Sequence, residues 1–181
     1  MKRLAVAGLL VLAGPASASV PPPAHEIFFS RLLALCGKSF TGRVVTTDPA
    51  DAAFAGKTLI MTVTACSANE VRIPFQVGED RSRTWVVTRV NTSLRLKHDH
   101  RHIDGTEDAV SSYGGDTTSL GTVSRQEFPA DRFSKDLFVR ENRAASVTNV
   151  WAMEVEPYEL RRPERHFRVE FDLEGAPKPP R

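Results

Sequence analysis

The stretch that decides the fold is RTWVVTRVNTSLRLKHDHRH, residues 83–102. Extended backbone sends alternate side chains to opposite faces of a strand. In residues 94–102, one face carries apolar side chains followed by histidines, and the other carries only charged side chains. The first face holds Leu94, Leu96, His98, His100 and His102, and the second holds Arg95, Lys97, Asp99 and Arg101. Such a row indicates a strand that leaves a core and enters a mouth or cleft.

The same period of two recurs along most of the chain after residue 39. Thr106 to Leu120 predicts a long loop or a loop around a short strand. Pro74 lies on the outward side of its segment, which predicts a strand near an edge or with a bulge. Strands are predicted at residues 40–47, 57–64, 71–77, 83–90, 94–102, 122–128, 147–155, 158–162 and 166–173.

Two segments follow a helical period instead. Residues 24–35 place apolar side chains at i, i+3 and i+4, and Gly37 is a natural stop. A second, short helix is predicted near 131–141, with Phe133, Leu137 and Phe138 on one side.

Short strands with turn signals between them predict a mainly β protein. One-sided alternation favours antiparallel pairing. A helix that leads into sequential hairpins is similar to the lipocalin–calycin superfold. The expected fold is therefore an antiparallel up-and-down β-barrel with an N-terminal helix and a short helix near 131–141.

The first eighteen residues have the composition of a secretory signal peptide. Lys2 and Arg3 form a basic start, residues 4–13 are apolar, and Ala16-Ser17-Ala18 is a small-residue cleavage motif. We expect cleavage after Ala18 and a periplasmic or secreted location in a bacterium.

The chain after residue 18 is predicted to form a single domain with short flanking segments. No later segment approaches the ~20 apolar residues of a membrane-spanning helix, so no transmembrane segment is expected. Without Lys2 and Arg3 the chain has 22 basic and 22 acidic side chains, and this balance argues against a nucleic-acid partner. The predicted units are a linker at 19–23, a single barrel domain at 24–174 and a disordered tail at 175–181.

Two cysteines, Cys36 and Cys66, remain after export. An even count in an oxidising compartment favours one disulfide. Two free thiols and a mixed cysteine–histidine metal site are the alternatives.

Several segments resemble a family of uncharacterised secreted bacterial proteins, over about Arg31 to Leu173. The resemblance implies only a compartment and a domain extent. Its segments are residues 36–38, 72–75, 78–85, 96–102, 113–116 and 128–131.

The histidine row is the first candidate site. Imidazole is a common metal ligand and titrates near neutral pH. His98, His100 and His102 are therefore predicted to hold a metal ion or haem, with neighbouring strands or carboxylates completing the site. The alternatives are partly buried, hydrogen-bonded histidines, or a role in proton transfer or ligand orientation. Carboxylates close in sequence are Asp99, Asp104, Glu107 and Asp108.

The second candidate site surrounds Trp85. Arg81 and Arg83 could hold an anionic ligand at a barrel rim, because guanidinium groups bind carboxylates and phosphates. The alternative is a salt bridge from Asp80 that pins the hairpin. The predicted ligand-binding set is His98, His100, Arg83, Trp85 and Tyr113.

Other chemistries lack local support. No serine lies in a G-x-S-x-G motif, and a disulfide-bonded Cys36 could not act as a nucleophile. We therefore predict no catalytic residue and assign no cofactor.

These observations predict an exported β-barrel that holds a small apolar or amphipathic ligand inside. The first alternative is a metal- or haem-binding protein, or an enzyme, that uses His98, His100 and His102. The second alternative is a structural envelope protein with an unknown protein partner.

Overall fold

The computed structural model describes residues 21–155, 158–161 and 167–173. These residues form two α-helices and ten β-strands, with short 3₁₀ turns at Pro49–Asp51 and Ala144–Ser146. In chain order the elements are α1 Ala24–Ala34, β1 Ser39–Val44, β2 Leu59–Thr62, β3 Glu70–Val77, β4 Asp80–Val90, β5 Ser93–His100, β6 Tyr113–Asp116, β7 Arg125–Pro129, α2 Arg132–Arg140, β8 Val150–Glu154, β9 Tyr158–Arg161 and β10 Val169–Phe171.

The strands form a curled antiparallel sheet. Strands β6 to β1 pair in sequence order, and β10 adds to β1 to give seven continuous strands. Strand β9 pairs with β10 and then with β8, which pairs with β7. The predicted mainly β, antiparallel architecture with two helices is confirmed, and Tyr113–Asp116 is the short strand within the predicted 106–120 loop.

The prediction for Pro74 is half right. Strand β3 lies between β2 and β4, so its proposed position near an edge is wrong. The ladder between β3 and β4 does shift between Phe75 and Val77, as a bulge requires. Toward β2, the ladder stops at Met61 and resumes only as an isolated Thr64–Arg72 bridge. The sheet therefore accommodates proline inside by interrupting its pairing there.

The two outer strands of the sheet approach each other. The Asp131 N–H, just after β7, donates to the Gly114 carbonyl in β6 at 2.9 Å. The described ladders do not pair β6 with β7, so the closed lipocalin-like barrel remains a prediction.

The core lies on the inner face of the sheet, and α1 packs into it. Phe28, Phe29 and Leu32 of α1 are fully buried. The Arg89 guanidinium of β4 lies 4.2 Å from the centre of the Phe29 ring and 2.8 Å from the Glu26 carboxylate. Fully buried partners are Val63, just after β2, and on the strands Leu59, Val71, Ile73, Val87, Leu94, Leu96, Phe128, Trp151 and Met153.

A disulfide joins Cys36 to Cys66, as predicted. It connects the end of α1 to the segment between β2 and β3, with the two Cα atoms 6.2 Å apart. Backbone hydrogen bonds from Gly37 to Val63 and from Val63 to Lys38 reinforce the same junction. The disulfide therefore fastens the helix to the sheet.

The predicted signal peptide at 1–18 and tail at 175–181 lie outside the described residues. Among the residues that the structure describes, no helix combines the length and apolarity needed to cross a membrane.

A polar cluster attaches α2 to the sheet. The Asp131 carboxylate caps the helix by accepting the Ser134 N–H at 2.8 Å, and it lies 2.6 Å from Lys97 Nζ. The Ser134 hydroxyl lies 2.8 Å from both the backbone N and O of Gly114. Burial raises the pKa of Asp131, but the hydrogen bonds from Lys97 and Ser134 outweigh it and hold that pKa below its usual value.

Replacing both Cys36 and Cys66 with alanine should lower the free energy of unfolding by ~3–4 kcal/mol, because the bond closes a loop with a sequence separation of 30. Urea unfolding without reductant measures the loss. Dithiothreitol should destabilise the native chain equally and leave the double variant unchanged. Equal stabilities of the oxidised chain and the double variant would contradict this view.

Asp131→Ala should lower the free energy of unfolding at pH 7 by ~1–3 kcal/mol, because the helix cap and the Lys97 pair are lost. The folded-state pKa is depressed, so this stabilisation is present above the unfolded-state pKa and disappears as pH falls through the folded value. Urea unfolding at pH 7 and at acidic pH measures the difference. Asp136→Ala is the control, since its exposed pair with Arg132 on the same helix contributes little.

Candidate functional site

The five predicted ligand-binding residues lie together on three neighbouring strands. The β4–β5 ladder pairs Arg83 with His100 and Trp85 with His98. The β5–β6 ladder pairs His98 with Tyr113. Residues directly opposite each other on paired strands share a face and touch. The two candidate sites of the sequence are therefore one continuous site.

The inner part of this site is an aromatic cluster, which we define as Trp85, His98, Tyr113, Phe138 and Trp151. The His98 side chain is only 4% exposed; its ring centre lies 4.6 Å from that of Trp85 and 4.7 Å from that of Tyr113. Tyr113 also stacks on Trp151, with ring centres 5.5 Å apart. These ring contacts are those of a packed core.

Arg83 forms its contacts within and beside the β4–β5 hairpin. Its guanidinium forms an ion pair with Asp80 and lies 5.8 Å from the centre of the Phe54 ring. Burial raises the pKa of Asp80, but hydrogen bonds from Ser82 and the nearby Arg83 charge outweigh it, so that pKa lies well below its usual range. The structure thus shows the hairpin salt bridge that the sequence offered as the alternative to anion binding.

The outer part of the site is a polar row, which we define as Ser82, His100 and Asp108. The Ser82 Oγ atom lies 2.8 Å from His100 Nε2. On the other side of the ring, His100 Nδ1 lies 3.5 Å from Asp108 Oδ2. The backbone N–H of His100 donates to the buried Ser111 hydroxyl at 3.0 Å, which fixes the position of the histidine.

Asp108 is held as an anion. Its carboxylate accepts the Val110 N–H at 2.7 Å, and this bond lowers its pKa; burial opposes the effect, and His100 and His102 add to it. An anion beside Nδ1 favours the neutral tautomer with its proton on Nδ1. In that tautomer His100 Nε2 carries no proton, so the Ser82 hydroxyl can donate either to it or to the Asp80 carboxylate.

A groove opens beside the polar row. Its volume is about 450 Å³, and it is lined by residues 79–82 and 100–103. Ile103, whose side chain is fully exposed, lines one side of it. The groove therefore combines one apolar contact with several polar ones.

The three predicted metal ligands are not brought into one group. His98 lies in the aromatic cluster, whereas His102 lies beyond β5 with its Nδ1 3.9 Å from Asp108 Oδ2. Within residues 21–155, 158–161 and 167–173, no three histidine, cysteine, aspartate or glutamate side chains are arranged to hold a metal ion. The metal or haem alternative remains a prediction.

Sequence reasoning missed Ser82, and it named Asp108 only as one of four carboxylates close to the histidine row. The hairpin gave no signal for Ser82, because its register pairs Arg83 with His100 and leaves Ser82 one residue out of phase. The sequence did not distinguish Asp108 from the other carboxylates, since the loop after β5 brings it back through an Arg101–Glu107 bridge.

Trp151→Ala should lower the free energy of unfolding by ~3–5 kcal/mol, because it empties the centre of the aromatic cluster. Val139→Ala, at an exposed apolar position on α2, is the matched control and should change stability by less than ~0.5 kcal/mol. Chemical denaturation of both variants measures the difference. Similar losses for the two would show that the cluster is not part of the core.

Neither a family model, nor a curated protein, nor a solved structure matches this chain, so the resemblance to a family of uncharacterised secreted bacterial proteins remains a prediction.

Proposed function

We propose that this protein is an exported, closed antiparallel β-barrel that binds a small amphipathic ligand in the groove. The observation that carries the proposal is the groove itself, in which the exposed Ile103 faces the same space as Ser82 and His100. Its volume of about 450 Å³ lies within the range of small-molecule sites.

Contacts between β6 and β7 support closure of the barrel. A Cβ atom added to Gly115 would lie 1.8 Å from the Pro129 carbonyl oxygen, so the two backbones meet closely there. The hydrogen bond between Asp131 and Gly114 lies at the same junction.

The Cys36–Cys66 disulfide supports export, because such bonds persist in oxidising compartments and are rare in the cytosol. The basic, apolar and small-residue pattern of residues 1–18 agrees with it. Periplasm and external medium are both consistent with these features.

Charge defines the ligand further. Arg81 lines the groove, and within the described part of the chain no carboxylate forms an ion pair with it. Arg101, in contrast, is paired with Asp99. Arg81 is therefore the cation available for an anionic head group, while Ile103 contacts an apolar tail. A fatty carboxylate of medium length has both parts.

The proposal is tested by titrating the protein with sodium octanoate and following backbone amide chemical shifts. Shifts should concentrate at residues 79–82 and 100–103. Ile103→Ser should weaken binding about fivefold, because apolar contact area is lost. Arg81→Ala should weaken it about tenfold, because a charge-assisted hydrogen bond is lost.

Val139→Ser is the matched control, since it removes another exposed apolar side chain far from the groove along the chain and should not change the affinity. Octanoate shifts that fall outside the groove, or an absence of shifts, would contradict the proposal. The second result would favour the structural envelope alternative.

A further inference from the structure

We propose that the polar row is a catalytic site in which Ser82 is a nucleophile, His100 its general base and Asp108 the positioning carboxylate, and that it hydrolyses small uncharged carboxylic esters. The inference rests on the proposed function, because the same groove would hold the ester.

The geometry meets the requirements for an activated serine. A nucleophile and its base must lie within about 2.6–3.2 Å of each other, with the base oriented by a third group. The distance from Ser82 Oγ to His100 Nε2 is 2.8 Å. Asp108 Oδ2, at 3.5 Å from Nδ1, supplies the orienting group at the looser distance common in unliganded sites.

Further hydrogen bonds hold the residues of the polar row in place. The Val110 N–H fixes the Asp108 carboxylate at 2.7 Å, and Ser111 fixes the backbone of His100 at 3.0 Å. Ser82 and His100 lie on the adjoining strands β4 and β5, so the sheet fixes the backbone of both residues. Ser82 and His100 are both half-buried and both line the groove, where an ester can reach them.

The Ser82 hydroxyl has a second acceptor in reach, the carboxylate of Asp80. The Asp80 carboxylate already forms an ion pair with Arg83 and accepts the Ser82 N–H, so the hydroxyl of Ser82 is not needed to satisfy it. The reacting carbonyl of an uncharged ester meets no charge repulsion from Asp80 when it lies beside Ser82. This is why the proposed substrate is an uncharged ester.

The reaction would proceed in two balanced steps. Ser82 Oγ attacks the ester carbonyl carbon while its proton moves to His100 Nε2. The carbon–oxygen bond to the alcohol then breaks, and the alcohol leaves with that proton, so an acyl-serine remains. Water next attacks the acyl carbon and gives a proton to Nε2, and this proton returns to Ser82 Oγ as the carboxylic acid leaves.

Two side chains of the groove fit the remaining needs of this reaction. The Arg81 guanidinium, next to Ser82 in sequence, is the cation available to face the developing oxyanion. Ile103 offers an apolar surface for the acyl chain. The product is a carboxylate, which is the ligand class proposed for the same groove.

The test uses the full chain as secreted and p-nitrophenyl butyrate as the ester, together with a fluorophosphonate probe that labels activated serines. Hydrolysis should exceed the buffer rate, and peptide mass spectrometry should place the label on Ser82. Ser82→Ala should abolish both. Ser93→Ala, at the other end of the same hairpin, is the matched control and should retain both.

The variant Asp108→Asn tests whether Asp108 orients His100 for the reaction or only stabilises the fold. It should lower kcat by about 10²-fold or more and leave KM nearly unchanged, because the ester still binds while the base loses its orientation. A rise in KM at unchanged kcat would overturn the assigned role of Asp108.

Labelling of the unmutated protein requires no variant to fold, so it tests the nucleophile directly. Absence of label on Ser82, or hydrolysis that survives in Ser82→Ala, overturns the inference. Octanoate binding without hydrolysis overturns the activity and leaves the proposed binding function intact. Failure of both octanoate binding and hydrolysis overturns both proposals.

Discussion

The site depends on one constraint, the register of the β4–β5 hairpin. Pairing runs without interruption from Val90 opposite Ser93 to Arg83 opposite His100. A shift of one residue would turn every side chain of β5 to the other face. The leucines would then leave the core, and His98 would leave the aromatic rings. Burial of the leucines near the turn therefore fixes the register of the whole hairpin, and this register positions His100 at the other end.

The histidine row shows how strand geometry separates chemically identical residues. His98 and His100 point to the same face with ring centres 5.7 Å apart, yet their surroundings differ. His98 is almost fully buried between aromatic rings, where a charged imidazole would be costly. His100 lies at the groove between a hydroxyl and a carboxylate. Burial thus separates a histidine packed among aromatic rings from one that is partly exposed beside polar groups.

The helical and strand periods of the sequence were enough to predict both helices, the approximate positions of most strands and the antiparallel pairing, and the even cysteine count predicted the disulfide. Strand alternation also placed Arg83, Trp85 and His98 among the candidate residues, because side-chain parity is a local property. The contact with Asp108 was not predictable in this way. It depends on how the loop after β5 folds back, and loop conformation has no fixed period. Closure of the sheet into a barrel likewise depends on contacts between β6 and β7, the strands at its two ends.

The pairing of β1 with β10 has a consequence for the order of folding. The first strand of the sheet aligns Gly42 with Phe171 and Val44 with Val169 of the last. We expect contacts between segments so far apart in sequence to form late, because closing a long loop costs conformational entropy before the contacts repay it. Until the C-terminal strand arrives, β1 has a free hydrogen-bonding edge that invites aggregation. In a chain synthesised from its N-terminus, this pairing therefore completes only after residues 169–171 have been made.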